Sequence, residues 1–192
     1  VRRQRQMCIR DRTGTLDYGQ GHAVAFAQVL HSFLGIPFER IKLLQGDSDE
    51  LITGGGTGGS KSIMASGGAI IEAATEVIKK AKTVAAYFFE TSEEDIEFKN
   101  GNLTVAGTDK SVSLIELSSE LKTNFTKPDG IPDTLDVKLD HGGVPSAFPN
   151  GCHICEVEID PDTGAVKIDR YNMVNDFGVL VNPLLVEGQC HG

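Results

Sequence analysis

The chain has 192 residues, 40% of them hydrophobic and 23% charged, with a formal net charge of −9. This balance fits one or two small domains with a real apolar core and rules out a disordered tail. Residues 1–12 hold five arginines against one aspartate and leave −13 on the rest, an acidic body that argues against nucleic acid as a partner; no apolar run reaches the roughly 18 residues of a membrane span.

The opening stretch VRRQRQMCIRDR lacks the apolar centre of a signal peptide and the serine-rich amphipathic pattern of a transit peptide. It looks like translated sequencing-adaptor sequence, so residues 1–12 are read as an adaptor-derived, non-native segment and left out of the fold. Phe26, Val29, Leu30, Phe33 and Leu34 then recur at helical spacing within residues 19–34, and Gly35 and Pro37 supply stop signals. Residues 41–44 predict a short strand, followed by the polar loop GDSDELITGGGTGGSKS. A long helix is expected from about Ser62 to Phe89, with Gly67 and Gly68 near its start admitting another element closely.

Asn100-Gly101 between alternating segments is a strong hairpin signal, and Ser113 with Glu116 forms a capping box that opens a short helix. Residues 123–150 are proline-rich and irregular, a connector or covering loop. CHICEVEID, the turn DPDTG and AVKIDRYNMV predict a second hairpin, followed by an extended NDFGVLVNP. The order points to a mixed α/β or α+β fold.

Three readings compete for TGGGTGGSKS. As a triphosphate loop it fails, because Ser60 separates Gly59 from Lys61 and shifts the lysine out of register. Gly54, Gly56 and Gly59 match G-x-G-x-x-G, but a dinucleotide fold needs the first glycine directly after a strand. Bare physics asks less: glycine amides, the hydroxyls of Ser60 and Ser62 and a following helix start make an anion-binding concavity, where the plain alternative is a flexible surface loop. Gly19-Gln20-Gly21-His22 is a second glycine-lined helix start with a side-chain amide, and two such starts in one short chain suggest one shared ligand.

Cys152 and Cys155 form C-x-x-C, yet three residues apart on a strand they face opposite ways, and no second pair completes a metal site; they are read as small buried apolar residues. The four cysteines show no disulfide framework, which implies a reducing cytoplasmic setting. The five histidines are scattered, and the acidic run Asp47, Asp49, Glu50 lacks calcium-loop spacing and reads as a solvated turn.

Taken in order, GTLDYGQGH, LQGDSDELITGGGTGGSKS, FPNGCHICEVEIDPDTG and VNDFGVLVNPLLVEGQCHG resemble the molybdopterin-binding large subunit of the molybdenum hydroxylases, the superfamily of aldehyde oxidase, xanthine dehydrogenase and aerobic carbon monoxide dehydrogenase. The third motif looks most like the carbon monoxide dehydrogenase branch. The resemblance covers residues 13–192, a cofactor-binding domain incomplete at both ends. It implies that Gln20, admitted by Gly19 and Gly21, approaches the molybdenum centre and pterin. It implies likewise that Gly59 brings an amide to the metal's ligands, with Ser60, Ser62, Thr57 and Gly58 alongside, and that Gln189 belongs to a further cofactor-side segment. No side chain is implied as a direct metal ligand.

The implied reaction is hydroxylation of a small carbon substrate, such as carbon monoxide, an aldehyde or an N-heterocycle, with oxygen from water. The implied cofactor is molybdopterin in its cytosine dinucleotide form, with iron–sulfur clusters on a small subunit and FAD on a medium subunit of a cytoplasmic dimer of heterotrimers. The family's catalytic glutamate falls after the VEGQ-type motif, outside these residues, so no catalytic residue is expected here and the chain is read as an internal fragment that does not turn over alone. A non-catalytic homologue with a binding or assembly role is the alternative, and a dinucleotide-binding enzyme the poorer third.

Overall fold

The structure is a computed structural model and describes residues 9–51, 53–123 and 128–192. The first eight residues of the segment 1–12 lie outside the described residues. The chain divides into two compact units, Val1–Pro145 and Ser146–Gly192.

In the first unit β1 (Ile9–Arg12) pairs in parallel with β2 (Ile41–Leu44), and α1 (His22–Leu34) connects them, a β–α–β arrangement. Residues 9–12, set apart at the level of sequence, thus form a strand of this unit. Its Asp11 is a poor fit to that place: Oδ2 is enclosed with no hydrogen-bond partner among the described residues, and burial pushes the carboxyl up to about 6.

Helix α1 buries Phe26, Leu30 and Leu34 against α2 (Ser62–Phe89), while Phe33, expected on the same stripe, is exposed. Gly35 closes α1 at φ 64°, its amide donating to His31 O at 2.8 Å. Its Cβ, if it had one, would lie 2.6 Å from the backbone N of Gly101, so glycine is required there by conformation and by space alike.

Helix α2 runs for 28 residues, roughly 42 Å at the standard rise. Its buried face comprises Ile70, Ala74, Ala81, Val84 and Ala85, mostly small, so neighbouring elements come close. At Gly68 an added Cβ would lie 2.9 Å from His141 Nε2, and His141 Nδ1 is 2.7 Å from Glu72 Oε2. Lys80 Nζ donates to Asp136 O at 2.7 Å. The irregular residues 128–145 are therefore laid along α2, as a covering loop would be.

The Asn100-Gly101 turn, both residues at positive φ, joins β3 (Ile96–Lys99) to β4 (Asn102–Val105). A third antiparallel strand, β5 (Ser111–Ser113), extends the pair in the order β3-β4-β5. Ser113 Oγ then accepts from Glu116 N while Glu116 Oε2 accepts from Ser113 N, the reciprocal cap that opens α3 (Leu114–Thr123). Ile96, Leu103 and Leu117 are at most 1% exposed, each stabilising the unit by about 1.5–3 kcal/mol.

The second unit is a long antiparallel hairpin, β6 (Asn150–Ile159) with β7 (Val166–Asp176), with a bulge at Glu156/Val157, followed by α4 (Pro183–His191). Asp160 Oδ1 organises the turn by accepting from Asp162 N and Thr163 N at 2.9 and 2.8 Å. Of the run 175–183 expected to be extended, Asn175 and Asp176 end β7, and helix α4, for which the sequence suggested no element, begins at Pro183. Asn182 Oδ1 caps it by accepting from Leu185 N at 3.1 Å, with Pro183 at the first helical position. Cys152 and Cys155 are free and exposed in this unit, not buried as expected.

Candidate functional site

After β1 the chain continues beside β2, with Thr13 N donating to Leu44 O. In an extended segment alternate side chains share a face, and Thr13 and Thr15 both turn inward, 6% and 9% exposed. Between them Gly14 leaves its backbone open to a second segment, residues 53–57. Gly55 N donates to Gly14 O at 3.2 Å, and Leu16 N donates to Thr57 Oγ1 at 3.2 Å. A Cβ on Gly14 would lie 2.7 Å from Gly54 Cα, and one on Gly54 would lie 2.8 Å from Gly14 O. The two backbones touch because neither residue has a side chain. The chain leading to the first glycine cluster is thereby fastened to the second.

The turn into α1 is built on Asp17. Its Oδ1 accepts from Gly19 N and Gln20 N at 2.9 and 2.7 Å, and its Oδ2 from His22 N at 3.0 Å. Desolvation acts to raise this carboxyl, but those amides, together with the charge of His22, hold it below its ordinary value. Gly19 and Gly21 adopt φ 102° and 76°, conformations that glycine alone takes readily. Gln20 is half-buried, its Oε1 accepting from Tyr18 N. His22 is buried and stacked on Phe26, ring centroids 4.9 Å apart.

The second cluster ends in consecutive left-handed residues, Gly59 at φ 69° and Ser60 at φ 52°. A serine held there costs about 1–2 kcal/mol, and such strain concentrates at ligand clamps. Lys61 occupies the N-cap of α2 with no side-chain hydrogen bond to the helix, so the first turn keeps its amides free of a side-chain cap. Ser62 is the first helical residue, and among the described residues nothing lies within 4 Å of where a Cβ on Gly55 or Gly58 would be. An uncapped 28-residue helix behind an unobstructed glycine loop suits the phosphate of a pterin cofactor by amide donation and by helix dipole.

Thr57 is thus placed beside Leu16, in the stretch that leads into Gly19–Gly21, while Gly58, Gly59, Ser60 and Ser62 continue the same loop into α2. Gln189 is on α4 of the second unit, exposed, and is described with that unit alone. Sequence reasoning missed Asp17, although an aspartate two and three residues before backbone amides of a glycine turn is a readable signal. It also missed the polar cluster in which half-buried Gln45 meets buried Thr13 and Thr15, with Ser66 beyond. The dinucleotide reading fails on geometry: β1 and β2 are parallel, but residues 45–53 separate β2 from Gly54.

Among the described residues no group of three or more His, Cys, Asp and Glu side chains gathers to hold a metal. Nor is any helix among them long and apolar enough to cross a membrane. The site offers backbone and neutral polar groups, a donor set that suits a cofactor bringing its own metal ligands.

Comparison with known proteins agrees. The family model of the molybdopterin cofactor-binding domain matches residues 9–192. The large subunit of nicotine 6-hydroxylase from Paenarthrobacter nicotinovorans is 38% identical over 94% of this chain and 22% of its own length. The carbon monoxide dehydrogenase large chain of Hydrogenophaga pseudoflava is 34% identical over the same shares. Among solved structures, reconstituted CO dehydrogenase from Oligotropha carboxidovorans matches with a TM-score of 0.81 at 32% identity, covering 94% of this chain and 22% of that one. Quinoline 2-oxidoreductase from Pseudomonas putida 86 matches at 0.79 and 30%, covering 95% and 23%. The chain spans about a fifth of the length of these relatives. With its mixed helix–strand fold, it belongs to the molybdopterin cofactor-binding domain family, as found in the carbon monoxide dehydrogenase and xanthine dehydrogenase group.

Proposed function

We propose that this chain is the cofactor-cradling part of the large subunit of a molybdenum-dependent hydroxylase or dehydrogenase. The observation that carries the reading is the fastening of the two glycine clusters through Gly14–Gly55 and Leu16–Thr57, which brings two glycine-lined helix starts into one region. When bound, the cofactor supplies two-electron oxidation of a small carbon substrate, such as carbon monoxide, an aldehyde or an N-heterocycle, with water as the oxygen source.

This chain's residues bind and orient that group. The Gln20 side-chain amide, with Gly19 and Gly21 keeping the approach clear, lies toward the metal end with the Gly59 amide. Ser60, Ser62, Thr57 and Gly58 receive the pterin and its phosphate; Gln189, taken with its own unit, is read as a cofactor-side residue. No residue here is assigned as catalytic base or direct metal ligand. The cytosine dinucleotide form, an iron–sulfur small subunit, an FAD-binding medium subunit, assembly as a dimer of heterotrimers and a cytoplasmic location complete the reading. It draws support from relatives named as large subunits and as a subunit of a dehydrogenase complex.

The test is cofactor content. Purified as part of its complex, the protein should hold molybdenum and pterin in about equal amounts with the polypeptide. Gln20→Ala, and separately Ser60→Ala with Ser62→Ala, should lower both. Variants that keep full metal, pterin and turnover would reject the site.

A further inference from the structure

Beneath the two loops lies a connected set of polar side chains. Gln45, directly after β2, donates from Nε2 to Thr13 Oγ1 and to Thr15 Oγ1, both at 2.8 Å, and the same nitrogen lies 3.4 Å from His22 Nδ1. Thr13 Oγ1 and Thr15 Oγ1 are 3.2 Å apart, and Thr15 Oγ1 is 3.2 Å from Ser66 Oγ in the first turns of α2. Thr13, Thr15, His22 and Ser66 are each at most 9% exposed.

A primary amide has two N–H groups, which go to the two threonines; the chain Thr13–Thr15–Ser66 can then run in either sense, since either hydroxyl of each pair can donate. Thr15 is saturated, with both lone pairs taken and its proton given. In a buried setting such chains polarise one another, and an unpaired member is expensive, so the set holds a single arrangement of its heavy atoms. That arrangement joins the segment entering α1 at Thr13 and Thr15 to the α2 start at Ser66, while His22, the first residue of α1, lies against the same amide nitrogen without receiving a proton from it.

We propose that Gln45 is a positioning residue: its side-chain amide locks the two glycine-lined helix starts into one platform, so that the loop amides are pre-organised before any cofactor arrives. Its benefit to cofactor retention rests on the function proposed above; the mechanical coupling does not. Gln45→Met keeps the length and volume of the side chain and deletes both donors.

The coupling is read by residue-resolved amide exchange on the 192-residue chain without cofactor. In this variant the Leu16 and Gly55 amides should exchange about 10-fold faster or more, the loss expected for one or two hydrogen bonds in a shared network. The amide of Leu103, in the middle of the β3-β4-β5 sheet, should change by less than about 2-fold. Adding Ser66→Ala to Gln45→Met should accelerate Leu16 and Gly55 by less than the product of the single effects, because both cut the same chain. Uniform acceleration of all three amides, unchanged exchange, or strictly multiplicative effects would each overturn the proposal. In the complex, Gln45→Met should release molybdenum and pterin about 10-fold faster. A wild-type complex that never holds them, while the exchange pattern appears as described, leaves the role of Gln45 standing and rejects the function.

Discussion

The two units of this chain are held together by different means. In residues up to 145, Phe26, Leu34, Ile96, Leu103 and Leu117 are almost wholly enclosed, and helices and sheet close on them. In residues 146–192 no side chain is buried; Ile154, Ile168 and Val174 are 57%, 61% and 75% exposed. That unit stands on its backbone ladder, on the Asp160 turn and on a line of polar contacts in which His153 lies between Tyr171 Oη and Asn175 Oδ1 while Asn175 Nδ2 reaches toward Cys190 Sγ. The first unit specifies its shape by packing, which resists change almost anywhere inside. The second specifies it by register and a few hydrogen bonds.

The contrast can be broken most directly by truncation. Phe26→Ala should cost about 3–5 kcal/mol of the first unit's stability, whereas Ile154→Ala should cost less than about 1 kcal/mol in the second. Urea unfolding followed by resolved amide signals from each unit measures both, and equal losses would remove the distinction.

Next in size is a difference in pH response. Asp11 sits near 6 in the folded chain against 3.8 in the ordinary carboxyl, so between those values the folded state holds the extra proton. Stability of the first unit should therefore fall as pH rises from about 4 to 6, by up to about 3 kcal/mol, and Asp11→Val should abolish that fall. Asp160 runs the other way. The amides of Thr163 and Asp162 hold its carboxyl below the usual range, so the turn it organises should weaken as pH drops through that range. Hairpin amide shifts followed between pH 6 and 2 would show whether the signs are opposed.

The smallest test compares helix caps. Ser113→Ala and Asn182→Ala should each cost about 1 kcal/mol. The first loss should appear in the unfolding of the whole first unit and the second only as fraying of α4. Helix content and exchange of the Leu185 amide distinguish these outcomes.

Local signals were well written into this chain. The bounds of β2 and α2, the Asn100-Gly101 turn and the Ser113–Glu116 cap follow from spacing and turn chemistry within a few residues. Helix α4 was also legible, since Asn182-Pro183 is a start signal, but no element was assigned beyond the run that ends there. Strand β5 is three residues long and depends on its neighbour β4 rather than on any pattern of its own. At the site, the glycine clusters could be read, and their shared ligand suspected, from composition alone. The Thr15–Ser66 contact spans 51 positions, and Gln45 looks like any polar residue after a strand until the fold brings Thr13 and Thr15 under it. The exposure of Cys152 and Cys155 escaped for a related reason: a residue's preference for burial says nothing about whether its unit has an interior.

The glycines of the two clusters do not constrain an engineer equally. Gly14 and Gly54 are closed to any side chain by each other's backbone, and Gly19, Gly21, Gly56 and Gly59 by their torsion angles. Gly55 and Gly58 have neither restriction, and the space beyond them is open. They are the two places in these clusters where the loop can be reshaped one methyl at a time, without rebuilding the frame that carries it.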